Sequence, residues 1–227
     1  MTIKIDARLS RTLLEQPETG MGYQIVEVRR PGAPTRHAVI ANATDFIKVV
    51  GGPRYVREVS ELDIRRTEFE LKYPSAETAI RVLKRDEAAR LGLQEARERK
   101  GRGAAKENPV EDSLSGEKFL RFSAYDDDPR ILPDGSVKKG TYVTTLVDGE
   151  KVKTGTEAVE RYALPNPEPA VHRFHLQPPP PRTIVVRRGT VQPDFGHEGG
   201  GDEVIFEDGA SGGTYRGERD RLPRGDE

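Results

Sequence analysis

Residues 183–208, TIVVRRGTVQPDFGHEGGGDEVIFED, constrain the fold more than any other stretch, because they read as strand, glycine-rich loop, strand. Ile184, Val185, Val186, Thr190 and Val191 are β-branched residues that suit extended chain, and Val204, Ile205 and Phe206 form a second short apolar run closed by Gly209. Between them Pro193, Gly196 and the triplet Gly199, Gly200, Gly201 permit backbone angles and close approaches that a Cβ forbids. Such a loop either turns the chain or offers bare backbone to a ligand. Asp202 and Glu203 sharpen the choice, since carboxylates set between a glycine run and an apolar strand must be solvated, paired or used.

Composition narrows the function classes. The 227 residues carry a net charge of -1, which argues against a general nucleic-acid binder, since such grooves show a basic excess. Mean hydropathy is -0.71, so part of the chain is expected outside any packed core. With Cys 0 there is neither a disulfide framework nor a thiolate nucleophile or metal ligand. The first residues lack an apolar export signal, and no window approaches the roughly 18 apolar residues of a membrane helix. A soluble protein is expected, cytoplasmic or delivered by a specialised secretion system, with no membrane partner.

In chain order, residues 1–73 read as a small β-rich module. Tyr23, Ile25, Val26 and Val28, a Pro-Gly turn at 31–34 and a returning strand at 37–41 make a hairpin, and residues 46–50 add a third strand. His37, alone in a strand, reads as structural. For residues 74–116 the expectation is a helix and a charged linker: Ser75 suits an N-cap, and Ala76, Ala79, Ile80, Leu83 and Leu91 recur at helical spacing. Residues 94–106 then fill with arginine, lysine and glycine, a solvated linker by default and a phosphate contact as the sharper alternative. Residues 117–208 turn to short strands, including 119–125, 140–146 and 171–176. Residues 209–227 offer little to bury and read as a polar tail. The whole is expected to be α+β, with a mixed, split sheet in the C-terminal half.

Several chemistries can be set aside on spacing. His172 and His175, three apart in a strand, point to opposite faces and cannot readily grip one metal ion, so no metal is expected. Asp126, Asp127 and Asp128 read as a solvated loop for the same reason. No Gly-x-Ser-x-Gly elbow, P-loop ending or dinucleotide fingerprint is present. What remains suits a phosphorylated cation: Arg121 and Arg161 for a pyrophosphate, Tyr142 for a planar ring, and Glu203 for a cationic carbon. The plain alternative is that both arginines pair with acids and Tyr142 packs in the core.

Arg121-Phe122, Gly140-Thr141-Tyr142, Arg161 with Leu164-Pro165, the His172/Phe174 strand, Gly189-Thr190-Val191-Gln192-Pro193-Asp194-Phe195-Gly196 and Gly199-Gly200-Gly201-Asp202-Glu203 occur in one order. That order resembles the tuberculosis necrotizing toxin family, NAD+ glycohydrolases related to the ADP-ribosyltransferase superfamily, over residues 117–208. The resemblance implies a split-sheet cleft with NAD+ as substrate. In it Arg121, Tyr142 and Glu203 are catalytic, and Arg161, His172, Phe195, Gly199, Gly200 and Gly201 bind the dinucleotide. It also implies a neutralising (immunity) protein as partner. Two departures stand out: Glu203 occupies the place of the family's glutamine, and His197-Glu198 replaces glutamine-proline. The alternatives are a catalytically silent binding module on the same fold, or an ADP-ribosyltransferase acting on a macromolecule.

Overall fold

A computed structural model describes residues 3–50, 59–93 and 98–225. The chain divides into two compact units, Met1–Ala96 and Arg97–Glu227, and is α+β with an antiparallel sheet in each. No helix among the described residues is long and apolar enough to cross a membrane.

The first unit runs β1 (Ile3–Lys4), α1 (Ala7–Leu14), β2 (Tyr23–Arg29), β3 (Arg36–Ala41), β4 (Asp45–Val50), α2 (Glu61–Lys72), β5 (Ala79–Val82) and α3 (Arg85–Arg90). The strands lie in the order β1-β4-β3-β2-β5. Asp6 starts α1 by accepting from the amides of Arg8 at 2.9 Å and Leu9 at 3.0 Å, and Ser60 starts α2 by accepting from Asp63 N at 3.1 Å. One core joins Val26, Val28, Ala38, Ile40 and Phe46 of the sheet to Leu13 of α1 and Leu71 of α2. The hairpin and the third strand stand as read from the sequence, whereas α2 was not foreseen. The helix expected from Ala76 is corrected. Ala79-Ile80-Arg81-Val82 alternates in exposure and pairs with β2, Val26 opposite Val82 and Val28 opposite Ile80, because β2 would otherwise leave an open edge. Only the short α3 follows. Of the linker expected at 94–106, residues 94–97 lie outside the described residues.

The second unit opens with a 3-10 turn (Ala105–Glu107) and continues as β6 (Glu111–Asp112), β7 (Phe119–Ser123), β8 (Thr141–Thr145), α4 (Leu146–Gly149), α5 (Gly155–Arg161), β9 (His172–Leu176), β10 (Val185–Thr190), β11 (Asp202–Phe206) and β12 (Tyr215–Arg221). Its seven strands lie in the order β12-β9-β7-β8-β11-β10-β6. The expected mixed sheet is corrected, since every described pair is antiparallel. The helical crossover α4–α5 joins β8 to β9, but β7 inserts between them, so the two never become parallel neighbours. The sheet does open along one seam: β7 pairs with β8 only at Phe119–Thr145 and Leu120–Thr144.

Strand register divides the side chains between two faces. Phe119, Val143, Leu176, Val186, Val204 and Phe206 meet in one core, covered by Val137, Ile131 and Tyr215 from loops and β12. The opposite face carries Leu120, Phe122, Tyr142, Thr144 and Glu203, and receives the helices: Phe122 stacks on Tyr162, just after α5, with ring centroids 5.0 Å apart.

The polar tail is corrected too. β12 pairs with β9 from Tyr215–Leu176 to Arg221–His172, Tyr215 packs edge-on against Phe174 at 5.8 Å, and the Arg219 guanidinium sits over the same ring, 5.8 Å from its centroid. A run of Gly, Arg, Asp and Glu is held here by ladder hydrogen bonds and two aromatic contacts, not by its own hydropathy. In an amide hydrogen-exchange measurement, the β9-facing amides of residues 215–221 should exchange at least roughly tenfold slower than unprotected chain; free exchange along the whole segment would contradict this pairing.

Candidate functional site

The hairpin that dominates the sequence forms as expected, with Gly189 opposite Glu203 and Thr190 opposite Asp202. Its loop folds back on itself. Phe195 at φ 56° and Gly196 at φ 89° make a two-residue turn of the kind that needs positive φ at both centres, closed by His197 N on Asp194 O at 2.9 Å. Glu160 of α5 anchors the turn through His197 Nδ1 at 2.8 Å and Glu198 N at 2.6 Å.

The glycines are used for close approach of the chain to itself. Gly199, at φ 62°, leaves a Cβ only 2.7 Å from Val191 O, and a Cβ on Gly201 would lie 2.5 Å from the Tyr162 ring. Gly189 faces the backbone of the 3-10 turn with no room for a side chain. The segment read as a solvated linker therefore belongs to the fold. Thr190 N donates to Gly103 O at 2.6 Å, Gln192 Oε1 accepts from Lys100 N at 3.0 Å, and Lys100 Nζ pairs with Glu198 at 2.6 Å.

Asp148 organises this neighbourhood. It is 1% exposed and accepts from Arg161 Nε at 3.0 Å and Nη2, Lys151 Nζ at 3.1 Å, Tyr162 OH at 3.2 Å and Asp202 N at 2.9 Å. Burial by itself would raise its pKa, but the hydrogen bonds from Arg161, Asp202 and Lys151 outweigh that and hold it down at about 2. Burial pushes the Tyr162 phenol the other way, helped by the Asp148 charge. Sequence reading passed over Asp148 as half of an Asp-Gly turn. The signal was Thr145-x-x-Asp148, a helix-start spacing: Thr145 Oγ1 accepts from Asp148 N at 3.2 Å.

The residues singled out for NAD+ chemistry divide between the two faces. Tyr142, 3% exposed, and Glu203, 1% exposed, share the helix-bearing face, with Arg161 and the glycine loop beside them. Glu203 Oε2 accepts from the backbone amide of Ala105 at 2.8 Å, so its carboxylate caps the 3-10 turn. Arg121 leaves the sheet on the opposite face, with Phe119. It is 1% exposed, its Nε pairs with Asp128, and its Nη1 donates to the Tyr142 carbonyl at 2.7 Å. Asp126 and Asp127 are exposed, as read, whereas Asp128 is buried, which corrects the solvated reading at that one position; its Oδ1 accepts from Arg130 N at 2.9 Å. His172 lies on the Arg121 face, half-buried, and its imidazole is held below the usual range by burial and by Arg219 and Arg221. His175 leaves on the other side to meet Asp220 at 2.7 Å. Phe195 is half-buried in its turn. Arg121 and Arg161 thus have the sheet between them and do not converge on one pyrophosphate.

Compared with protein-family models, with curated proteins and with solved structures, the chain matches none. The toxin-family likeness rests on the residues quoted above.

Asp148 gives a signed pH dependence. Its folded pKa of about 2 lies below the ordinary 3.8, so its contribution is fully present above pH 3.8 and disappears as pH falls through 2. Asp148→Asn should therefore destabilise the second unit by about 2 kcal/mol at neutral pH. Denaturant melts of the two proteins should converge as pH falls from about 4 through 2; a gap that persists unchanged at pH 2 would show that the charge is not what stabilises.

Proposed function

We propose that Arg97–Glu227 is a catalytically silent binding module, in which the positions that resemble an NAD+-cleaving site serve the fold's own contacts. The observation that carries this reading is the opposition of Arg121 and Glu203 across the sheet, each engaged by a protein partner, Asp128 for the guanidinium and Ala105 N for the carboxylate. A site for cleavage of an N-glycosidic bond requires the phosphate clamp and the group facing the developing cation on one surface. A guanidinium already neutralised by a buried carboxylate has little left to offer a phosphate.

A second reading, NAD+ glycohydrolase, is supported by Tyr142, Arg161, the 199–201 glycines and Glu203 sharing one face. In it NAD+ is the substrate and an immunity protein the natural antagonist. Glu203 would stabilise the ribosyl cation once the 98–108 segment moved aside.

Incubation with NAD+ while nicotinamide release is followed separates the two. Under the first reading the wild type, Glu203→Gln and Arg121→Ala all release nicotinamide at the buffer rate. Release well above buffer that falls by 10²-fold or more in a folded Glu203→Gln protein, whose amide oxygen still accepts from Ala105, would establish the enzyme instead.

A further inference from the structure

The first unit carries a surface that neither reading uses. Helix α2 has two apolar stripes. Leu71 and Thr67 face its own sheet and are buried, whereas Leu62, Phe69 and Tyr73 are 55%, 61% and 58% exposed. At about 100° per residue, positions 62, 66, 69 and 73 fall within roughly 60° of one another, on the side away from Leu71. Their spacing alternates four and three, the seam by which one helix packs along another. Phe69 and Tyr73 already pack on each other, ring centroids 5.3 Å apart.

The second position of that seam is Arg66, which makes no ion pair among the described residues. It opens into a pocket of about 580 Å3 between α2 and the 31–34 turn, lined also by Arg30, Arg36, Arg65 and Phe69. Four arginines face two carboxylates there, Asp63 and Glu70, leaving an excess of two positive charges (four minus two). The carboxylates are occupied: Glu70 accepts from Arg36 Nη2 at 2.6 Å, and Asp63 accepts from its capping Ser60 at 2.6 Å. Arg65 is held by Glu61, and Arg30 lies 3.9 Å from Glu70. The unspent positive charge is that of Arg66, with Arg30 behind it.

We propose that this face of α2 docks an amphipathic helix of a partner protein, one that lays apolar side chains along Leu62, Phe69 and Tyr73 and sets a carboxylate against Arg66. The stripe runs over twelve residues, Leu62 to Tyr73, about 16 Å from end to end, which is longer than a pocket-bound small molecule needs. Nucleic acid fits poorly, because three of the four seam positions, Leu62, Phe69 and Tyr73, are apolar or aromatic and a phosphate backbone calls for several basic groups. A second copy fits poorly as well. Parallel pairing would put Arg66 against itself, and antiparallel pairing would put it against Leu62 or Phe69 with no counter-ion.

The test uses the full chain and two synthetic helical peptides with leucine at the seam positions, one with glutamate and one with lysine beside them, followed by fluorescence anisotropy. The glutamate peptide should bind the wild type at least tenfold tighter than the lysine peptide. Phe69→Ala should lose at least tenfold in affinity for it, and Arg66→Glu should reverse the preference. Phe69 and Arg66 are exposed, so both variants keep the fold, checked by circular dichroism. Equal binding of the two peptides, no binding of either, or a dimer in sedimentation that Arg66→Glu leaves intact would overturn the proposal.

Discussion

The second unit depends on one buried charge pair. Beyond Leu120 and Thr144, where β7 and β8 part, the ladder between them ends. A buried carbonyl without a donor costs on the order of 1–3 kcal/mol. Arg121 donates to the Tyr142 carbonyl at 2.7 Å, and Asp128 makes a fully buried guanidinium tolerable by neutralising it. Arg130 extends the same arrangement, donating from Nε to Thr141 Oγ1 at 2.8 Å at the far end of β8. Neither charge could be buried without the other. The opened seam is thus bridged from inside.

On the helix-bearing face a second polar centre does comparable work. Asp148 ties α4 to Arg161 at the end of α5 and to Asp202 at the start of β11, so the glycine loop is clamped at its exit while Glu160 clamps its turn. The glycines are explained by what lies against them: the 3-10 turn at Gly189, Val191 at Gly199 and Tyr162 at Gly201. Backbone-on-backbone packing of this kind needs the same residues as a phosphate cradle, since both require a missing Cβ. Sequence cannot separate the two uses, and here the chain occupies its own glycine surface.

The hairpins were legible because alternation and turn chemistry are local. Tyr23–Arg29 with Arg36–Ala41 and Val185–Thr190 with Asp202–Phe206 need only β-branched runs and glycine or proline between them. β5 was not legible, because Ala79 and Ile80 fit a helix as well as a strand, and the decision was made by the open edge of β2 some fifty residues earlier. β12 escaped for the same reason. At the site, the sequence left two uses open for Arg121 and Arg161, a pyrophosphate or internal acids, and gave no faces. Placing Arg121 opposite Glu203 requires the registers of β7, β8 and β11 together, and no spacing within the chain encodes them. Asp128 looked like solvent-exposed acid because the loop after β7 folds back to bring it against Arg121, seven residues earlier, which no local spacing rule encodes.

A double-mutant cycle on Arg121 and Asp128, read as unfolding free energy by denaturant melts, tests the central claim most directly. Arg121→Met and Asp128→Asn should each cost about 3–5 kcal/mol, and the double variant should cost clearly less than their sum, because each single change strands a buried charge. Strict additivity, or a stable Arg121→Met protein altered only in NAD+ binding, would return Arg121 to a ligand site and contradict the account.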